Sequence, residues 1–365
     1  MKKVFLYILF IFSIFAFSQD NKNSGFPHSI EIQTGYGYIG KHSDILDYYI
    51  TGHVSNININ FGKKLNGNKY WHKLYAFPEI GLGYYFASLN NEYLGSAHAI
   101  YSYIKLPFSN KKMRIKPTFD FSIGITYITT PFDIESNYQN RVIGTHFNVY
   151  FKAGFGFDYK LNDKLVLNSV IGVNHYSNAK IKTPNLGINV LNINLGIKYL
   201  IKAPVIIEKE YTNTDYKKNE FLIVYGSGIK ATPKPMNKRY YASSLVFDYY
   251  HRISQKSKFG FGVDGFYDGS LSYYSSVDTI CEVKYGTDNF LLGTHLSYAL
   301  IFNKVSYILQ LGYYLHDKLN INGEIYTRIG LRAYVTKRLL LNITLKTHFA
   351  KADLLEIGVG YKVFR

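Results

Sequence analysis

Apolar and polar residues alternate with a period of two along most of the chain, and helical periodicity is almost absent. In Asn56–Phe61 asparagines alternate with isoleucine or phenylalanine. Leu355–Val363 repeats the pattern, with apolar residues at odd positions and Glu356 and Lys362 among the even positions. The runs approach the roughly 9–11 residues that a tilted strand needs to cross a bilayer. Strands of soluble sandwiches average about 5–6 residues. The pattern therefore predicts an all-β, antiparallel transmembrane β-barrel, with a secreted β-sandwich as the weaker alternative.

About sixteen strands are predicted, which fit either one barrel or two tandem eight-stranded halves. A weak internal duplication supports two related halves. YFKAG at Tyr150–Gly154, followed by KLVLN, resembles YTRIG at Tyr326–Gly330, followed by RLLLN. A charged, proline-containing segment separates them. The predicted organisation is a first barrel half over 28–202, a linker over 203–219 and a second half over 220–365.

The first residues, MKKVFLYILFIFSIFAFSQ, combine two lysines, a short apolar stretch and small residues before Gln19. That layout predicts a signal peptide over 1–18, with cleavage after Ser18. Connections in the first half alternate in length, for example the long Ile39–Gly52 and the tight Leu161–Lys164. Bacterial outer-membrane barrels have short periplasmic turns and longer external loops, so this alternation predicts an outer-membrane protein. Since the signal peptide delivers the N-terminus to the periplasm, the first and every other odd-numbered strand of this half is predicted to run outward, and the long connections are predicted to be extracellular.

The composition limits the kinds of binding partner and cofactor that are expected. The formal net charge is +17, yet the basic residues are scattered singly, so anionic lipid headgroups are expected and nucleic acid is not. The 36 tyrosines and 26 phenylalanines suit aromatic girdles at two membrane interfaces. The single cysteine, Cys281, excludes an intrachain disulfide. With no H-E-x-x-H motif or paired cysteines, neither a metal nor another cofactor is predicted, and the oligomeric state stays open.

The chemistry-bearing candidates lie at the end of the predicted seventh strand, Leu165–Ser177. His175 and Ser177 share the odd, more apolar face, which the pattern assigns to lipid at outer-leaflet height. Such polar residues can simply bind headgroups. They can also form an acyl-transfer site, because a nucleophilic serine needs a base, a group that orients the base, and oxyanion donors. Asn189 across the hairpin could orient His175, and Asn178 and Asn185 could be the donors.

The whole segment His175–Asn189, HYSNAKIKTPNLGIN, resembles the catalytic segment of the lipid A 3-O-deacylases, outer-membrane barrels also called acyloxyacyl hydrolases. Their motif reads H-x-S-N-A, then P-N and G, and ends in an acid fourteen residues after the histidine. The resemblance is expected over the first half, from His28 to about Leu200. It implies an eight-stranded barrel whose lipid-facing serine removes the acyl chain at position 3 of lipid A without a metal. His175 matches the base, Ser177 the nucleophile and Asn185 an oxyanion-hole asparagine.

One position departs from the family pattern, because Asn189 stands where the family has glutamate. Its carbonyl oxygen can still fix the histidine tautomer, but it cannot stabilise an imidazolium by charge. The predicted function is an outer-membrane serine esterase acting on lipid A. The alternative is a non-enzymatic barrel, either a porin-like channel or a scaffold. Lys180 and Lys182, in the loop after Ser177, are either solvated or anchors for lipid A phosphates.

The second half is predicted to be non-catalytic. In its segment THFAKAD, Ala350 stands where a serine would be needed, and His348 shares the inward parity of Lys346.

Overall fold

The computed structural model describes residues 27–109, 113–202, 206–207, 218–232, 238–272, 289–348 and 351–363. The predicted signal peptide, Cys281, Ala350 and most of the predicted linker lie outside these residues. The chain divides into two compact units. The first comprises Met1–Asn178 and Leu186–Glu210, and the second comprises Ala179–Asn185 and Tyr211–Arg365.

The first unit contains a closed antiparallel barrel in which each strand pairs with the next and β8 returns to β1. Its strands are β1 (Ser29–Ile39), β2 (Val54–Lys64), β3 (Glu79–Ser88), β4 (Ser96–Pro107), β5 (Ile115–Ile128), β6 (Phe147–Lys160), β7 (Leu165–Ser177) and β8 (Ile188–Leu200). A 3-10 helix, Asp44–Tyr48, lies between β1 and β2, and a short helix α1, Tyr70–Leu74, lies between β2 and β3.

The second unit contains a second closed antiparallel barrel, in which β16 pairs with β9. Its strands are β9 (Asn219–Ala231), β10 (Arg239–Arg252), β11 (Ser257–Asp268), β12 (Phe290–Phe302), β13 (Val305–His316), β14 (Ile325–Tyr334), β15 (Leu339–His348) and β16 (Lys351–Lys362). The all-β barrel prediction is confirmed, in the form of two eight-stranded barrels. The single larger barrel and the soluble sandwich are excluded.

The period-two pattern has a simple structural origin in strand β2. Asn56, Asn58 and Asn60 are buried inside the barrel, whereas Ile57 is 48% exposed and Phe61 37% exposed on its outside. Successive side chains of a strand point to opposite faces, so an apolar exterior and a polar interior must alternate in the sequence. The inverted arrangement, polar inside and apolar outside, is the one that a barrel in hydrocarbon requires.

The interior of the first barrel holds paired charges. Lys105 and Lys198 each place Nζ 3.1 Å from the carboxylate of Glu31, and Lys198 also lies 3.0 Å from Glu79. A buried charge is tolerated only when it is paired and hydrogen-bonded, so these residues stabilise one arrangement of the barrel wall.

The interior of the second barrel holds a larger network. Arg328 contacts Asp264 at 3.0 Å and Glu356 at 2.7 Å, and His295 lies between Asp264 and Asp248 at 2.6 and 2.7 Å. An eight-stranded barrel has an interior just wide enough for side chains to fill. Both interiors are filled in this way.

The loop lengths of the first barrel depart from strict alternation at two places. The connection over 65–78 includes α1 and is as long as the connection over 40–53. The connection over 89–95, expected to be long, is no longer than the one over 108–114. The long connection 129–146 and the short connection 161–164 follow the expected pattern. Among the described residues, no helix has the length and apolar character needed to cross a membrane.

Candidate active site

The end of β7 brings together His175, Ser177 and Asn189. The antiparallel register of β7 and β8 places His175 directly opposite Asn189. Period two puts His175 and Ser177 on the same face of β7 as Leu167 and Ile171, whose side chains are 38% and 65% exposed. The three polar side chains are therefore grouped by strand geometry alone, on the face that carries exposed apolar residues.

The three side chains form a continuous hydrogen-bonded series. His175 Nε2 lies 3.0 Å from Ser177 Oγ, and His175 Nδ1 lies 2.6 Å from Asn189 Oδ1. A carbonyl oxygen can only accept, so Nδ1 carries the proton and Nε2 is left with a lone pair. Nε2 can then accept the hydroxyl proton of Ser177. This is the arrangement of a serine nucleophile, its base and the group that orients the base.

Gly187 covers this group, and a side chain at this position would disturb it. A Cβ added to Gly187 would lie 3.0 Å from His175 Cε1 and 3.5 Å from Ser177 Cβ. Its φ of +77° also belongs to the left-handed region, where residues with a side chain are strained. Ser177 is only 4% exposed beneath this cover. The glycine of the sequence motif thus has a physical reason, which the sequence alone did not give.

The two predicted oxyanion donors, Asn178 and Asn185, lie in the connection between β7 and β8. Asn178 follows Ser177 directly and is 4% exposed, and the chain then turns sharply at Ala179 and Lys180, which both have positive φ. Asn185 is partly buried and belongs to the segment Ala179–Asn185 of the second unit. Their role toward an oxyanion stays a prediction.

Lys180 has a partner within the second unit. Its Nζ lies 3.5 Å from Asp353, and its backbone carbonyl accepts a hydrogen bond from the Ala231 amide at 2.9 Å. Burial lowers the pKa of Lys180, and the Asp353 carboxylate opposes that shift. Lys182 is partly buried. The proposed contact of either lysine with a lipid phosphate stays a prediction.

A fourth residue, His42 in the connection 40–53, also reaches the group, and the sequence reasoning missed it. Its Nδ1 lies 3.3 Å from Asn189 Nδ2, and its Nε2 lies 3.1 Å from the Leu186 carbonyl oxygen. Closure of the barrel brings this connection beside β8, where the Gly40 amide donates to the Asn189 carbonyl at 2.8 Å. Only the closing pair of strands could have indicated this neighbour.

Comparison with known families finds a matching family model for each half of the chain. The family model described as lipid A 3-O-deacylase (PagL) matches residues 55–198, and the model described as acyloxyacyl hydrolase, C-terminal domain, matches residues 219–365. Each half of the chain is therefore similar to one of these two described families. The resemblance was expected for the first half only, and that expectation was too narrow, because the second barrel matches a model of its own.

Three solved structures are each similar to about half of this chain. Neisserial surface protein A is 10% identical, with 49% of this chain and 99% of that chain covered and a TM-score of 0.34. The outer membrane enzyme PagL is 16% identical, with 46% and 97% covered and a TM-score of 0.30. The N-terminal β-barrel domain of Pseudomonas aeruginosa OprF is 10% identical, with 48% and 99% covered and a TM-score of 0.28. No curated protein matches the chain.

A second outward serine–histidine pair offers an internal contrast. Ser96 Oγ lies 3.3 Å from His98 Nε2, and both residues share the face of Ile100, which is 69% exposed. The third member is the hydroxyl of Tyr84, 2.8 Å from His98 Nδ1. A phenol hydroxyl can donate or accept, so this contact does not hold the proton on Nδ1. The amide oxygen beside His175 Nδ1 can only accept and leaves Nε2 basic toward Ser177, whereas the partner of His98 imposes no such orientation.

His348 of the second barrel lies in a different environment. It is 6% exposed, and its Nε2 lies 3.0 Å from the Tyr314 hydroxyl. Lys346 Nζ lies 3.0 Å from the same hydroxyl. The position equivalent to serine, Ala350, lies outside the described residues. Within the described part of the chain, no group of three histidine, cysteine or acidic side chains could hold a metal ion.

Proposed function

We propose that this protein is an acyloxyacyl hydrolase, an outer-membrane esterase that removes an ester-linked acyl chain from lipid A, with Ser177 as nucleophile and His175 as base. The observation that carries the proposal is the hydrogen-bonded series Ser177–His175–Asn189, with its distances of 3.0 and 2.6 Å. The family descriptions supply the substrate class, because they name a lipid A 3-O-deacylase and an acyloxyacyl hydrolase.

The first half-reaction transfers the acyl group to the protein. His175 Nε2 takes the proton from Ser177 Oγ as the oxygen attacks the ester carbonyl and forms a tetrahedral oxyanion. Asn178 and Asn185 are the proposed donors to that oxyanion. The bond between the acyl carbon and the sugar oxygen then breaks, and the departing sugar oxygen receives the proton from His175. The products of this step are an acyl-serine and a sugar hydroxyl.

The second half-reaction restores the serine. His175 Nε2 removes a proton from water, the resulting hydroxide attacks the acyl carbonyl, and Ser177 Oγ leaves with the proton that His175 returns. A free fatty acid is released. Asn189 keeps Nδ1 protonated throughout, so that Nε2 remains the basic nitrogen. Because Asn189 is neutral, it adds no charge stabilisation to the imidazolium, unlike the glutamate of the family motif.

The position of the group suits a lipid substrate. The same face of the barrel carries exposed Ile171 and Leu195, so an acyl chain could approach from the hydrocarbon without entering the barrel. Polar side chains facing hydrocarbon are costly and mark functional sites by default. Access from the bilayer, near the outer leaflet, is therefore part of the proposal.

A channel is the less favoured alternative. The interior ion pairs of Lys105 with Glu31 and of Arg328 with Asp264 are almost completely buried, which leaves little space for a solvated ion path. A non-enzymatic scaffold would retain both barrels but not require the hydrogen-bonded series.

The deciding experiment is mass spectrometry of lipid A from cells that express the wild-type protein or Ser177→Ala. Loss of one acyl chain in the wild type only is the expected result. Ser96→Ala is the matched control, because it removes another outward serine hydroxyl beside a histidine. Unmodified lipid A and phospholipid in the wild type would favour the scaffold.

A further inference from the structure

The Asn189 side-chain amide can present either its oxygen or its NH₂ group to His175, so some other contact must select between the two orientations. Rotation by 180° about the last bond exchanges the two with little change in shape. With the oxygen toward His175, Nδ1 is the protonated nitrogen. With the NH₂ group toward His175, Nδ1 must accept, and the proton moves to Nε2. The base would then have no lone pair for Ser177, which is the defect of an asparagine placed the wrong way round in a triad.

His42 supplies the missing constraint. Its Nε2 lies 3.1 Å from the carbonyl oxygen of Leu186, and a carbonyl can only accept. A neutral ring has one proton to donate, and donation from Nε2 leaves Nδ1 as an acceptor. Asn189 Nδ2 lies 3.3 Å from that Nδ1 and donates to it. The Gly40 carbonyl lies 3.2 Å from the same nitrogen and would favour a proton there, but that tautomer would turn the lone pair of Nε2 toward the Leu186 carbonyl. The Nε2–H tautomer makes two separate hydrogen bonds, one to Leu186 and one from Asn189, and is therefore favoured.

The hydrogen bonds consequently run in one direction through four side chains. Ser177 donates to His175, His175 donates to Asn189, Asn189 donates to His42, and His42 donates to the Leu186 backbone. Reversal of the series would turn the lone pair of His42 Nε2 toward the Leu186 carbonyl, so this carbonyl favours the stated direction.

We propose that His42 is a positioning residue of the esterase, which holds the Asn189 amide in the orientation that keeps His175 basic toward Ser177. The inference rests on the proposed function. It also explains how this chain uses an asparagine at the acid position. A carboxylate has two equivalent acceptor oxygens and needs no such constraint, whereas an amide does.

The test is a double-mutant cycle between positions 42 and 189. His42→Leu should lower ester hydrolysis about two- to tenfold, the value of one neutral hydrogen bond. In the Asn189→Glu background the same substitution should have little effect, because glutamate cannot present a donor to His175. His42→Gln should retain most activity, since its amide also offers an acceptor and a donor. His53→Leu is the matched control, because His53 is an exposed histidine in the same connection that stacks on Tyr36.

A spectroscopic measurement separates the inference from the esterase proposal. NMR of protein labelled at the histidine ring carbons reports which nitrogen of His175 carries the proton. The expected result is the Nδ1–H tautomer in the wild type and a shift toward Nε2–H in His42→Leu. An unchanged tautomer, or an equal loss of activity in both backgrounds, would overturn the positioning role. If the wild type hydrolyses neither lipid A nor phospholipid, the esterase proposal fails, and the tautomer measurement still decides the role of His42.

Discussion

His175 Nδ1 and Asn189 Oδ1 lie 2.6 Å apart across the β7–β8 pair. This contact connects the two strands at the position where the family motif has an acid, and it makes Asn189 the informative residue for mutation. Asn189→Ala removes the acceptor, so we expect ester hydrolysis to fall about tenfold. Asn189→Glu should retain or raise the rate, because a carboxylate stabilises the imidazolium by charge. Steady-state rates of ester hydrolysis in outer-membrane preparations measure both variants. A higher rate for Asn189→Ala than for the wild type would contradict the orienting role.

Ser177 and His175 should each be essential for hydrolysis. Ser177→Ala removes the nucleophile, and we expect no detectable deacylation. His175→Ala removes the general base, which typically contributes about 10²–10⁴-fold to a rate. Both variants should still show heat-modifiable gel mobility, because neither contributes to the interior ion pairs. Ser96→Ala and His98→Ala are the paired controls and should keep wild-type activity. Equal losses in the two pairs of variants would show that the assignment of the active pair is wrong.

His348 should not contribute to hydrolysis. It is buried against Tyr314 in the second barrel, and the position two residues later is an alanine. His348→Ala should therefore leave lipid A deacylation unchanged when assayed beside the wild type at equal protein levels. Activity that survived Ser177→Ala but disappeared in the double variant with His348→Ala would reveal a second hydrolytic centre.

The loop between β7 and β8 is predicted to face the outside of the cell. This follows from periplasmic entry of the N-terminus and the rise of the odd strands of the first barrel. Lys182→Cys should react in intact cells with a maleimide that does not cross the outer membrane. The natural Cys281 is replaced by serine in both the test and the parent protein. Lys164→Cys, in the tight connection 161–164 at the opposite end, is the control and should react only after the outer membrane is opened.

The interior charges of the second barrel should matter for stability. Arg328→Met removes the guanidinium that pairs with the buried carboxylates of Asp264 and Glu356, while His295 remains beside Asp264. We expect a loss of about 3–5 kcal/mol in the free energy of unfolding, the range for a broken buried pair. Urea unfolding in detergent, monitored by gel mobility, measures this free energy of unfolding. Arg338→Met makes the same exchange at an exposed site in this barrel and should leave the midpoint unchanged.

The sequence by itself determined the barrel class and the grouping of the candidate residues. Period-two alternation fixes which side chains share a face, so the common face of His175 and Ser177 follows from their spacing of two. Asn189 follows from the hairpin, because antiparallel pairing of neighbouring strands puts it opposite His175. These are local relationships, and a local pattern encodes them.

Only the tertiary structure decided what depends on closure. Whether sixteen strands form one barrel or two is set by which distant strands meet, here β1 with β8 and β9 with β16, and no local pattern records that choice. The approach of His42 to Asn189 is a consequence of the first of these closures. The partners of interior charges such as Lys105 and Arg328 are likewise set across the barrel, between residues far apart in the chain. The sequence shows that these charges face inward, but only the closed barrel determines which carboxylate each one meets.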